Sequence, residues 1–302
     1  MTTTTEESTQ NIIEHNSEQI VSELNTEKET VKSEGHISHE ITLGAEPIAR
    51  VGNFDITNSL LNTWIVVIIL VVVGLSLRKK LKKIPKGIQV FFEIIVEGGV
   101  KLCDSVTNDR SKSMKIFPFA FTFFIIILLN NWLGLLPGVG SVGFIEGEAG
   151  HQVFVPYFRG GTADLNTTLA LALISVIVSN IFGVITVGAY KHLNKYINIH
   201  GLAQIPKKVW KDPTILIVNP IKFFVGIVEI VGEVAKVASL SFRLFGNIFA
   251  GEVLLSSIAV IFAFGLPIPF MFLEVIVGLI QALIFGMLTL VYFSIAMTKE
   301  EH

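Results

Sequence analysis

The apolar positions of the chain gather into five long blocks separated by polar segments of differing charge. The block 60–77 carries no charge and is long enough to cross a bilayer with little tilt. A second, 116–136, is rich in Phe and Ile, and Pro118 is expected in its first turn, where a missing N–H costs little. The third is 165–190. The fourth, 220–264, is mostly apolar but seeded with charges, and no Pro interrupts it after Pro220. The fifth, 270–297, follows a turn signal made by Gly265, Leu266, Pro267, Ile268 and Pro269. Between the first two blocks, Ile88, Phe91, Phe92, Ile95 and Leu102 recur at helical spacing, with Glu93, Glu97, Lys101 and Asp104 elsewhere around the helix. That pattern predicts an amphipathic helix. The flanking apolar blocks favour a position in the membrane interface over a soluble surface.

The segment 1–45 is rich in Thr, Glu, Ser and Asn and shows no apolar period, so it reads as a disordered acidic tail. Residues 46–302 are expected to form one membrane-embedded domain. No basic and then apolar stretch follows Met1, so the tail does not read as a cleavable signal. His36, His39 and Glu40 read as solvated tail residues rather than metal ligands, because no helical frame holds them.

Composition agrees with the pattern. Hydrophobic residues make up 51% of the chain, charged residues 16%, and the mean hydropathy is +0.65. A soluble globule could not cover itself with so few charges. The fold class is therefore an all-α polytopic membrane protein with about five membrane helices, the last two long and hairpinned. Cys103 is the lone cysteine, which excludes an intrachain disulfide and a Cys-rich metal site, and no cofactor is expected. Most basic residues are rationed to the loops between apolar blocks, so nucleic acid is not expected as a partner.

The net charge of −2 hides an asymmetry: residues 1–50 hold 3 Lys/Arg against 10 Glu. The polar segment 78–115 holds ten basic residues, and 191–219 holds Lys191, Lys195, Lys207, Lys208 and Lys211. The loop 137–163 has only Arg159, and the tip near 265–269 has none. This alternation predicts an extracytoplasmic N-terminus and, after five crossings, a cytoplasmic C-terminus. A continuous helix over 220–264 would be roughly 65 Å long, about twice the hydrocarbon core, which predicts a strongly inclined helix folded back onto a similarly inclined partner.

Charges in these last blocks are expensive. Lys222, Glu229, Glu233, Lys236, Arg243, Glu252 and Glu274 lie there with Asn247 and Gln281. A charge at the bilayer centre costs at least about 2.5–3.5 kcal/mol, and such groups usually mark ion pathways. Lys222 lies near the helix start and can snorkel. Glu229, Glu233, Lys236, Arg243 and Asn247 fall on one helical stripe. The first three suit either a structural ion-pair ladder or the lining of a wet passage. Asn247 and Gln281 suit either that lining or hydrogen bonds between helices. Glu252 faces another way from Arg243, and Glu274 and Gln281 share a face of the last helix. Arg243 is too far from either end of its block to snorkel, and no acid follows it at i+3 or i+4. Its guanidinium stays protonated at physiological pH. Its counter-ion is therefore expected from another subunit, one that passes close along the small residues Gly246, Ala250 and Gly251.

The run 239–253, SLSFRLFGNIFAGEV, closely resembles the signature of subunit a of F-type ATP synthases, the membrane stator beside the rotating c-ring. Asn131-Trp132-Leu133-Gly134-Leu135-Leu136-Pro137, Thr162-Ala163-Asp164-Leu165-Asn166-Thr167-Thr168 and Ile280-Gln281-Ala282 through Tyr292 agree. The resemblance covers roughly 55–300 and not the acidic tail. It implies a proton-translocating subunit with no catalytic site of its own, in a bacterial plasma membrane. The partners it implies are the c-ring, the subunit b peripheral stalk and other synthase subunits. It implies that Arg243 faces the carboxylate of each passing c-subunit, favours its ionised form and separates two aqueous half-channels. It places Glu252, Glu274, Asn247 and Gln281 near the arginine and along the outer half-channel, and Glu229 on the cytoplasmic side; Glu233, one turn on, is a further candidate for the proton pathway. Many relatives carry histidine at the position of Glu252 or Glu274; here both are Glu, and if they face one cavity they are expected to share a proton.

Two other classes are weaker. A secondary transporter would show inverted repeats and paired broken helices, and the unequal blocks show no repeat. An intramembrane hydrolase needs a Ser–His, paired Asp or HExxH set, which is missing at membrane depth.

Overall fold

The computed structural model describes residues 44–82, 84–136, 138–146, 153–190, 192, 215–262 and 265–298. The acidic tail expected over 1–45 lies outside them apart from its last two residues. So do most of the basic loop 191–219 and the side chain of Lys222.

Among the described residues, six long helices carry the architecture: α1 (Asn58–Lys80), α2 (Ile88–Thr107), α3 (Arg110–Gly134), α4 (Leu165–Val187), α5 (Ile215–Ile261) and α6 (Pro267–Met297). All but α2 are long and apolar enough to cross a membrane. The protein is thus an all-α polytopic membrane protein. A short hairpin of β1 (Pro47–Val51) and β2 (Phe54–Thr57) leads into α1. A second hairpin, β3 (Gly143–Glu146) with β4 (Val153–Pro156), belongs to a separate compact unit that includes Ser141–Tyr157.

Local chemistry sets the helix ends. Thr57 caps α1 by accepting from the Leu60 amide at 3.3 Å. Asp109 caps α3 through the amides of Ser111 and Lys112, at 2.9 and 3.4 Å. Asn108, with φ 50°, turns the chain out of α2. Because Asp109 starts α3 before the apolar block does, Pro118 is interior rather than in the first turn. It removes one intrahelical bond there, and the buried neighbours Ile116, Ala120 and Phe123 hold the helix together across it. Likewise α5 begins at Ile215, so Pro220 lies inside it. At 47 residues α5 is roughly 70 Å long, and no break divides it. Gly265, with φ 85°, and Pro267 at the first helical position make the turn into α6, which packs against α5.

The core forms where α3, α4, α5 and α6 converge, through Phe123, Ile127, Ala172, Val176, Leu240, Leu244, Ile248, Ala282 and Phe285. Hydroxyls and amides tie the helices together as well. Ser175 bonds Thr289 at 2.9 Å between α4 and α6, Thr168 bonds Ser241 at 3.3 Å between α4 and α5, and Thr63 donates to Asn130 at 3.2 Å between α1 and α3. α2 packs on α3 and α6 through Cys103, with Val106 beside it. Phe91 and Leu102, on the apolar stripe expected for α2, stay exposed. The outer faces of α1, α4 and α5 expose Ile68, Val72, Ile177, Ile185, Phe224 and Val231, a surface suited to lipid.

Candidate functional site: the polar residues of α5 and α6

The site is built on the middle of α5. One face of that stretch is buried, through Leu240, Ser241, Leu244, Phe245 and Ile248. The other presents Ser239, Phe242, Arg243, Gly246, Asn247 and Ala250, all exposed. Arg243 makes one hydrogen bond among the described residues, from Nη2 to Ser239 Oγ at 3.1 Å, and no carboxylate of the described chain lies within ion-pair distance of it. Nothing lies within 4 Å of a Cβ built on Gly246, so the surface beside the guanidinium is open as well as small.

Gly251 departs from the expected small-residue face. It points inward, and a Cβ placed there would run into the carboxyl of Glu274 from α6. Glu274 is only 5% exposed, and its Oε1 has no hydrogen-bond partner. Gln281, two turns on, is half-buried.

The neighbouring Glu252 meets a different partner. Arg159 Nε reaches its two oxygens at 3.0 and 3.1 Å, and Nη2 reaches Oε2 at 2.9 Å. Nη1 donates to the Gly44 carbonyl at 3.0 Å, and the guanidinium lies 5.9 Å from the Phe249 ring centroid. Glu252 thus has a cation for a partner, while Glu274 pairs with none among the described residues. Arg159 owes its place to the segment behind it. Gly160, Gly161, Thr162 and Ala163 are all buried, and a Cβ on Gly134 would stand 2.8 Å from Gly160 Cα. Asp164 then caps α4, accepting from Asn166 N at 3.2 Å. In the sequence Arg159 is the sole Lys or Arg of the loop 137–163, a signal that bears on orientation and names no partner.

Asn131 and Trp132 fix α6 between Glu274 and Gln281. Asn131 Nδ2 donates to the Gly278 carbonyl at 2.9 Å, Trp132 Nε1 donates to the Val275 carbonyl at 3.1 Å, and Thr162 hydrogen-bonds Asn131 Oδ1.

Toward the N-terminal end of α5 lies a second polar group. Lys236 Nζ is 2.6 Å from Glu233 Oε1 and 5.3 Å from the Tyr292 ring centroid. Asn180 Nδ2 donates to Glu233 Oε2 at 3.2 Å, and buried His192 contacts Asn180 Oδ1 at 3.2 Å. The i,i+3 ion pair considered from the sequence is present, and it is joined to α4. Glu229 sits one turn earlier, half-buried. Among the described residues no cluster of His, Cys, Asp and Glu suits a metal.

The family model for the ATP synthase A chain matches residues 60–294, which contain both polar groups and the whole helical core. The chain belongs to that family. ATP synthase subunit a of Syntrophobacter fumaroxidans is 34% identical over 83% of this chain and 89% of its own length. The Mycobacterium tuberculosis protein of the same name is 33% identical over 81% and 88%, and that of Geobacter sulfurreducens 30% over 77% and 84%. Within this ATP synthase A chain family member, Arg243, Asn247, Glu252, Glu274 and Gln281 all fall in the matched region. So does Arg159.

Proposed function

We propose that this chain is the proton-translocating stator subunit of the membrane sector of a bacterial F-type ATP synthase, working beside a c-ring and held by the subunit b stalk. The observation that carries this reading is Arg243: a fixed cation in mid-helix, exposed beside Gly246 and Ala250, with no acid of its own described chain to neutralise it. A carboxylate on a rotor helix sliding over that face supplies the missing charge. Beside the guanidinium the rotor carboxyl is favoured in its ionised form, so it must release its proton before passing and regain one afterwards.

Glu274, Glu252, Asn247 and Gln281 then line the route between the outer face and the ring, and Glu233 and Glu229 the route between the ring and the cytoplasm. Arg243 separates the two, so protons cross only by riding the ring. The N-terminus lies outside and the C-terminus in the cytoplasm, following the basic segments. The roughly 70 Å of α5 fits a membrane only when strongly inclined. The chain carries ions and does no bond chemistry of its own.

Arg243→Ala in the assembled complex tests this. The complex should assemble and retain ATP hydrolysis in its soluble sector, while proton-driven ATP synthesis is abolished. Normal synthesis by that variant refutes the assignment.

A further inference from the structure

Two acidic side chains, Glu252 and Glu274, stand on facing helices, and their surroundings differ in kind. The guanidinium of Arg159 delivers three hydrogen bonds to Glu252, while the Arg159 side chain is only 4% exposed. Its remaining polar and ring contacts among the described residues are one backbone carbonyl, of Gly44, and the Phe249 ring. A proton arriving on Glu252, whose side chain is 31% exposed, would cancel the one carboxylate paired with that buried cation among the described residues. Breaking one side of a buried pair is strongly destabilising because the other charge is left uncompensated. Glu274 has the opposite situation. It is 5% exposed, pressed against Gly251, has an oxygen without a hydrogen-bond partner, and pairs with no cation among the described residues. Gaining or losing a proton there disrupts no ion pair.

We propose that Arg159 is a positioning residue that fixes Glu252 as a standing anion, so that Glu274 is the carboxyl that carries the proton on this side of the ring. The proposal rests on the reading that both acids line the outer route. Under it, the two acids have separate tasks: Glu252 holds a constant negative charge along the route, and Glu274 accepts and releases the proton. The planar fork of Arg159 matters as well as its charge, since Nε and Nη2 together engage both carboxylate oxygens while Nη1 is anchored on Gly44.

Infrared difference spectra of the assembled complex, taken between proton-loaded and deuterium-exchanged states, test the assignment. A protonated-carboxyl band from this subunit should vanish in Glu274→Gln and survive in Glu252→Gln. Arg159→Gln should add a second such band, and the double variant Arg159→Gln/Glu252→Gln should lose it. Arg159→Lys should give only a partial second band, because a point charge replaces the fork. Loss of the original band in Glu252→Gln, its survival in Glu274→Gln, or an unchanged spectrum in Arg159→Gln overturns the proposal. Should Arg159→Gln fail to assemble, the two carboxyl variants decide alone. These spectra report which acid holds a proton whether or not the ring turns, whereas failure of the stator reading appears as retained synthesis in Arg243→Ala.

Discussion

The carboxyl of Glu274 occupies the volume in which a side chain on Gly251 would begin. The two residues lie on different helices, and this contact sets how closely α5 and α6 approach at the site. Gly251→Ala should push Glu274 aside with no change in charge. A misplacement of roughly 1 Å at a reacting group can cost on the order of a hundredfold, so proton pumping driven by ATP should fall by about ten- to a hundredfold in vesicles holding the assembled variant. Pumping at the parental rate would show that the close contact is incidental.

Arg243→Lys keeps the positive charge but loses the planar fork that bonds Ser239 and faces outward. ATP synthesis in this variant should be severely reduced yet measurable, standing between the parent and Arg243→Ala. Equal activity of the lysine variant and the parent would mean that charge alone suffices.

Asn131 joins three elements: its amide donates to the Gly278 carbonyl on α6, and its oxygen bonds Thr162 in the buried segment before α4. Asn131→Leu removes both bonds and leaves a buried carbonyl and hydroxyl to find new partners. The expected loss is about 1–2 kcal/mol, seen as a lower thermal midpoint of the detergent-solubilised complex. Trp132→Phe, which removes one bond at a more exposed position, should cost less.

Cys103 lies in the wall of an apolar groove with Leu102, Phe117 and Phe124, and burial pushes its thiol up to about 11. An acid whose pKa is raised by folding contributes stability below its ordinary value, near 8.5, and that contribution is lost as pH rises toward 11. Alkylation by a small maleimide should therefore keep rising about tenfold per pH unit beyond pH 9. A labelling rate that levels off near pH 9 would mean the thiol is open to water.

Most of the fold was legible because its signal is long-range in composition: five apolar blocks, each too long for a soluble core, gave five helices. Arg243 was legible for a related reason, since a charge far from both ends of an apolar block has few explanations. Other features depended on contacts that spacing does not encode. Pro118 falls inside α3 because the Asp109 cap, and not the first apolar residue, starts the helix. Gly251 shares a short run with Gly246 and Ala250, yet its direction is inward, and only the position of α6 shows it. The Arg159–Glu252 pair joins residues 93 apart in the chain through a loop with no helical period, so no pattern could reveal it. Asn180 likewise bonds Glu233 from outside the last two blocks, and His192 bonds Asn180 in turn.

In the proposed stator, a rotor helix passing Arg243 would apply a sideways load to α5. On its far side that helix is braced by Leu240, Leu244 and Ile248 in the core and by the Ser241–Thr168 bond to α4. Such a push would be spread over four helices rather than bending one, so that elastic recoil would stay small and each advance of the proposed ring would meet an unmoved stop.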